Sequence, residues 1–83
     1  MYEIRFDSEA AKFLTRLPKN IGQRIFLKIH RAKRDPHRYF ERLEGRPEFK
    51  LRVGEYRVIA DIDDKNELLE IRLIGHRKNV YGR

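Results

Sequence analysis

The chain contains no cysteine, no tryptophan and a single serine. The first absence excludes a disulfide framework and a thiolate metal site. Ser8, beside Asp7, reads as a helix cap, which leaves no nucleophile for a serine triad. Apolar runs stop at three residues, far short of the roughly 20 that span a bilayer as a helix. The opening Met1-Tyr2-Glu3-Ile4-Arg5 lacks the apolar core of a signal peptide, so the expectation is a cytoplasmic protein with no membrane partner. There is no Gly-rich phosphate loop, no HExxH and no carboxylate or histidine cluster at metal-ligand spacing. His30, His37 and His76 are scattered, and neither a metal nor a cofactor is expected. Acidic residues are also short, with 13 Asp plus Glu against 20 Lys plus Arg and a formal charge of +7. After Glu70 no acid remains, while Arg72, His76, Arg77, Lys78 and Arg83 follow. A pI near 10.1 favours nucleic acid or an acidic protein as partner. With 83 residues the expectation is one domain over 1–83, whose site is an open groove rather than an enclosed pocket.

The stretch Phe49-Lys50-Leu51-Arg52-Val53-Gly54-Glu55-Tyr56-Arg57-Val58-Ile59 carries most of the information. It alternates on both sides of Gly54-Glu55, as two strands do when joined by a two-residue turn with Gly at its first central position. In that register Val53 faces Tyr56, Arg52 faces Arg57, Leu51 faces Val58 and Lys50 faces Ile59. Leu51, Val53, Tyr56 and Val58 then share an apolar face, and Lys50, Arg52 and Arg57 share the other. Like charges placed opposite each other destabilise an antiparallel pair. Folding gives no reason to gather three cations there, whereas an arriving anion does.

Elsewhere the pattern reads as an α+β chain. Tyr2, Ile4 and Phe6 alternate as a short strand. After an Asp7-Ser8 cap, Ala10, Phe13, Leu14 and Leu17 recur at helical spacing until Pro18. Asn20 with Gln23 resembles a capping box for a second helix, whose stripe is Ile21, Ile25, Ile29 and Ala32. Its other face, Arg24, Lys28, Arg31 and Lys33, reads as solvated, and Asp35-Pro36 stops it. Residues 35–47 read as a connector pinned by Tyr39, Phe40 and Leu43. Beyond the hairpin, Asp63-Asp64-Lys65-Asn66 turns into a last strand from Leu68 to about Gly75. Uninterrupted alternation pairs Ala60 with Ile71 and Val58 with Leu73, and puts Arg72 and His76 on the face of Arg57. The expected architecture is β-α-α-β-β-β, a three-stranded antiparallel meander with both helices on one face of the sheet and the opposite face left to the cations.

That residue set suits cleavage of a phosphodiester by its own 2′-hydroxyl. Such a reaction needs a base, cations for the charge building on phosphoryl oxygens, and an acid for the departing 5′-oxygen. Arg57 and Arg77 fit the stabilising role. Lys50, crowded by Arg52 and Arg57, is a credible base, His76 titrates in the useful range, and Tyr81 can orient the sugar or exchange a proton. Without RNA the same residues are a basic patch, so a purely binding role stays open.

Three ordered pieces, Leu43-Glu44-Gly45, Phe49 through Ile59, and Ile74-Gly75-His76-Arg77-Lys78-Asn79-Val80-Tyr81, resemble the RelE branch of the RelE/ParE toxin superfamily. The resemblance implies a toxin of a toxin–antitoxin pair that binds the ribosomal A site and cuts mRNA there. It also implies an acidic RelB-like antitoxin, with operator DNA reached only through the toxin–antitoxin complex. Matched by position, Lys50 and Arg52 fall on basic catalytic positions, Arg57 and Arg77 on phosphate-binding arginines, and Tyr81 on the near-terminal tyrosine. Histidine at 76 and arginine at 52 depart from the founding member, which has lysine at both, and the chain stops two residues after Tyr81. A ParE-like inhibitor of DNA gyrase is the alternative within the same superfamily.

Overall fold

The structure, a computed structural model, describes residues 1–79. In chain order the elements are β1 (Glu3–Phe6), α1 (Ser8–Arg16), α2 (Lys19–Ala32), α3 (Pro36–Tyr39), β2 (Glu41–Arg42), β3 (Phe49–Val53), β4 (Tyr56–Asp63) and β5 (Leu68–His76). The strands form one five-stranded sheet in the order β1-β5-β4-β3-β2. β1 runs parallel to β5, and the remaining pairs are antiparallel. The expected α+β order is therefore present, and the connector contributes two further pieces, the single turn α3 and the two-residue edge strand β2. Pro36 opens α3, where a missing N–H costs nothing.

The helical stripe of α2 is the core's largest contribution from outside the sheet. Ile25, Ile29 and Ala32 are fully buried because positions spaced by three and four residues share one helix face. They meet Leu51, Val58, Leu69, Ile71 and Ile74 from the sheet. Each such aliphatic side chain contributes roughly 1.5–3 kcal/mol on burial. Pro18 separates α1 from α2 and occupies the N-cap of α2, which places Asn20 inside the first turn, so the anticipated Asn20–Gln23 box does not form. Asp7 does precede α1, but its carboxylate makes no cap bond and is directed at Arg72 Nε, 3.1 Å away.

The β3–β4 register is the expected one at all four predicted pairs: Val53 with Tyr56, Arg52 with Arg57, Leu51 with Val58 and Lys50 with Ile59. The β4–β5 register departs from simple alternation. Ala60 pairs with Ile71 as expected, but Ile59 pairs with Leu73 and Val58 with Ile74, with the shift falling between Ile59 and Ala60. Arg72 is the extra residue of this bulge. One extra residue exchanges the faces of everything beyond it. Ile74 rather than Leu73 enters the core, and Leu73 joins Leu43 and Ile59 in a small apolar cluster on the opposite face. That face is thus shared between cations and an apolar patch. Arg72 is withdrawn from the cationic field, its guanidinium lying within 3.1 Å of Asp7, 3.4 Å of Asp61 and 3.7 Å of Glu70.

Candidate anion-binding site

Gly54 takes φ +60°, a conformation that costs a side-chain-bearing residue but not glycine. It allows the tight turn that closes Val53 against Tyr56 and sets Arg52 directly across from Arg57. The turn also holds Arg57. Its Nη1 donates to the carbonyls of Gly54, at 3.3 Å, and Tyr56, at 3.0 Å. Arg57 is only 8% exposed, the one charged residue among the described residues buried to this degree. No carboxylate lies within ion-pair distance of it among the described residues.

Both hydrogens of Nη1 are used on the turn, while Nε and Nη2 have no protein partner among the described residues. Among the described residues no buried side-chain nitrogen or oxygen lacks a hydrogen-bond partner, so those residues do not seal Nε and Nη2 in. These two nitrogens form the side-on edge of a guanidinium, the edge that takes two oxygens of a phosphate or carboxylate in parallel. A cation held out of bulk water, without a counter-charge and with a bidentate edge outward, is built to receive an anion.

The other residues singled out from the sequence fall into three groups. Lys50 and Arg52 share the face of Arg57. Arg52 is exposed and Lys50 half-buried, and the β2–β3 register sets Glu41 opposite Lys50. His76 does not join them. It pairs with Tyr56 across β4–β5, on the helix-side face, with the rings edge-to-face at 5.6 Å. The bulge at Arg72 causes this reversal. Arg77 follows the end of β5, and its backbone N–H donates to the Glu55 carbonyl at 2.8 Å, which ties it to the turn. Tyr81 lies outside the described residues.

Two groups near the turn escaped the sequence reading. Glu55 Oε1 is 3.2 Å from His76 Nε2, and His76 Nδ1 accepts the Lys78 N–H at 3.2 Å. An accepting Nδ1 puts the neutral ring's proton on Nε2, directed at the carboxylate. The second group comes from α2, where Lys28 Nζ donates to the Arg52 carbonyl at 2.8 Å. Arg24 Nη2 also approaches within 3.5 Å of the position a Gly54 Cβ would take. The Gly54-Glu55 turn was the available signal for Glu55; for Arg24 and Lys28 their helical spacing was visible but not their destination. No group of His, Asp and Glu able to hold a metal occurs among the described residues. No helix among them is long and apolar enough to cross a membrane.

Comparison with known proteins places this geometry in context. The family model described as the ParE toxin of type II toxin–antitoxin system, parDE, matches residues 4–81. Among solved structures, the RelBE2 toxin–antitoxin complex from Mycobacterium tuberculosis contains a similar chain at 30% identity. The match covers 92% of this chain and 98% of that one, with a TM-score of 0.79. The archaeal RelE–RelB complex from Pyrococcus horikoshii OT3 is similar at 23% identity, 95% and 98% coverage and TM-score 0.79. The intact E. coli RelBE complex follows at 20% identity, 92% and 96% coverage and TM-score 0.80. These last two likenesses speak to the fold. No curated protein sequence matches the chain.

Proposed function

The chain belongs to the ParE toxin family of type II toxin–antitoxin systems and is a RelE-type toxin of the RelE/ParE superfamily, and on that premise we propose that it is a ribosome-dependent mRNA endoribonuclease. The observation that carries the reading is Arg57, a nearly buried cation with no counter-charge and an outward Nε–Nη2 edge. In the proposed reaction the 2′-oxygen of one nucleotide attacks the adjacent phosphorus. The new O2′–P bond replaces the P–O5′ bond, leaving a 2′,3′-cyclic phosphate and a 5′-hydroxyl. Arg57 holds the phosphoryl oxygens through its free edge, with Arg52 beside it and Arg77 at the end of β5. Negative charge developing on those oxygens strengthens these contacts in the transition state. Lys50, on the same face, takes the 2′-hydroxyl proton when its amine is neutral, becoming the ammonium. His76 and Tyr81 are the candidates for returning a proton to the 5′-oxygen, His76 working from the sheet's end rather than from the Arg57 face.

The mRNA is presented in the A site of the small ribosomal subunit, which supplies the enclosure that a chain of 83 residues cannot build for itself. A RelB-like acidic antitoxin is the expected partner, since similar chains occur in complexes with RelB. Operator DNA is reached only through that complex. The test is primer extension on a reporter mRNA, with the protein added to translating ribosomes or to naked RNA. Cuts confined to codons in the decoding site, absent on naked RNA and lost in Arg77→Ala, are expected. No cuts in either setting would overturn the reading and direct attention to trapped DNA breaks by gyrase.

A further inference from the structure

The turn that seats Arg57 also receives the chain as it leaves β5. The final β4–β5 pair sets Tyr56 opposite His76, and the pair before it sets Arg57 opposite Gly75. One step beyond, the Arg77 N–H donates to the Glu55 carbonyl at 2.8 Å. Alternation of faces along the two strands carries residues 75 and 77 to the side of Arg57 and His76 to the other. Arg77 is exposed and makes no ion pair among the described residues.

Glu55 reaches this segment twice. Its carbonyl takes the Arg77 N–H, and its carboxylate Oε1 stands 3.2 Å from His76 Nε2. His76 passes the hold onward. Its Nδ1 accepts the Lys78 N–H at 3.2 Å, and its carbonyl accepts the Asn79 N–H at 2.8 Å. The ring also meets Tyr56 edge-to-face at 5.6 Å. Residues 77, 78 and 79 thus each give their N–H to Glu55 or to His76.

Charge alone gives Glu55 no place here. Arg52, Arg57 and Arg77 flank the turn, and a carboxylate two residues from Arg57 opposes the anion that those cations attract. The Glu55 side chain is 68% exposed, and so exposed a pair adds little to folding. What the carboxylate supplies is an acceptor for the Nε2 proton, which sets the tautomer whose Nδ1 is open to Lys78. We infer that Glu55 is a positioning residue for Arg77. Acting through His76, it braces residues 77–79 against the β3–β4 turn and so keeps the Arg77 guanidinium on the Arg57 side. This rests on the phosphate-holding role given to Arg57 and Arg77 in the proposed function. With both ring nitrogens engaged, His76 is the link in the brace, which leaves Tyr81, of the two candidates named, to protonate the departing 5′-oxygen.

The test uses the full chain, with fluorescein-labelled oligouridylate read by anisotropy at low salt and backbone amide exchange read by NMR. Charge and positioning predict opposite signs. Removing a carboxylate near the site should by charge alone tighten RNA binding. Glu55→Ala is expected instead to weaken it about fivefold, part of the roughly tenfold or greater loss in Arg77→Ala. Glu55→Gln keeps an acceptor for Nε2 and should bind at least as tightly as the unaltered chain. In the Arg77→Ala background, Glu55→Ala should weaken binding no further. Exchange at Lys78 and Asn79 should quicken about fivefold in Glu55→Ala and not in Glu55→Gln, with the unfolding midpoint unmoved. The proposal is overturned if Glu55→Ala binds as tightly as the unaltered chain or more so, or if Glu55→Gln is as weak as Glu55→Ala. A penalty that persists without Arg77, or unchanged amide exchange, would overturn it equally. No readout involves ribosomes or cleavage, so a failure here is distinguishable from a failure of the ribonuclease reading.

Discussion

Replacing Arg57 by methionine keeps the aliphatic stem and removes a guanidinium that is 8% exposed. The loss consists of two hydrogen bonds from a cationic donor to the Gly54 and Tyr56 carbonyls, about 1.5–3 kcal/mol each. Against it stands the desolvation of a charge that no carboxylate compensates, several kcal/mol for one ion. Relief of the repulsion from Arg52 across the strand pair adds about 0.2–1 kcal/mol. The opposing terms are of the same order, so Arg57→Met should lower the unfolding free energy by less than the roughly 3–6 kcal/mol of its two hydrogen bonds, and by no more than about 3 kcal/mol. Leu51→Ala, which opens a cavity at a position 2% exposed, should cost about 2–5 kcal/mol. Urea unfolding followed by far-UV circular dichroism compares the two. In parallel, Arg57→Met should weaken binding to a labelled oligoribonucleotide and shrink its logarithmic salt slope by about 0.7, one phosphate contact. A stability loss above about 3 kcal/mol would refute the reasoning, because it would mean that Arg57 is kept for the fold and not for an anion.

Two further outcomes concern the far end of β4 and the turn at Gly54. Tyr2 Oη donates to Asp64 Oδ1 at 2.6 Å, and His37 Nε2 lies within 3.0 Å of both carboxylate oxygens. The Asp64 bond, above all, raises the Tyr2 hydroxyl from 10.0 to about 12, while the Tyr2 and His37 contacts lower Asp64 below 3.8. The folded state therefore keeps the Tyr2 proton longer, and its contribution, complete below pH 10.0, is lost as pH rises toward about 12. The Asp64 contribution runs the other way, complete above pH 3.8 and lost on acidification below it. Thermal melts across this range should show both limbs; Tyr2→Phe should flatten the alkaline limb, and an unaltered limb would deny the bond. Gly54→Ala, at φ +60°, should cost about 1–2 kcal/mol in urea unfolding and loosen the turn that holds Arg57; an unchanged midpoint would argue against the strained turn.

Local pattern carried much of this protein. Alternation around Gly54-Glu55 was enough to name four of the five β3–β4 pairs, because a two-residue turn leaves the register no freedom. The spacing of Ile25, Ile29 and Ala32 marked the buried side of α2, and Pro18 marked the break before it, since both follow from backbone geometry within a few residues. The cluster of Lys50, Arg52 and Arg57 was legible for the same reason. Partners remote in sequence were not. The bulge at Arg72 sets its guanidinium among three carboxylates, Asp7 just after β1, Asp61 on β4 and Glu70 on its own strand, and the first two are remote in sequence. Its trace in the sequence was only the adjacent pair Leu73-Ile74, one residue for each face. That single inserted residue moved His76 across the sheet and brought Leu73 to the cation side. The depth at which Arg57 sits and the carboxylate of Glu55 set against His76 likewise required the packed chain. A periodicity records which side of its own element a residue occupies, and only tertiary packing decides what stands opposite.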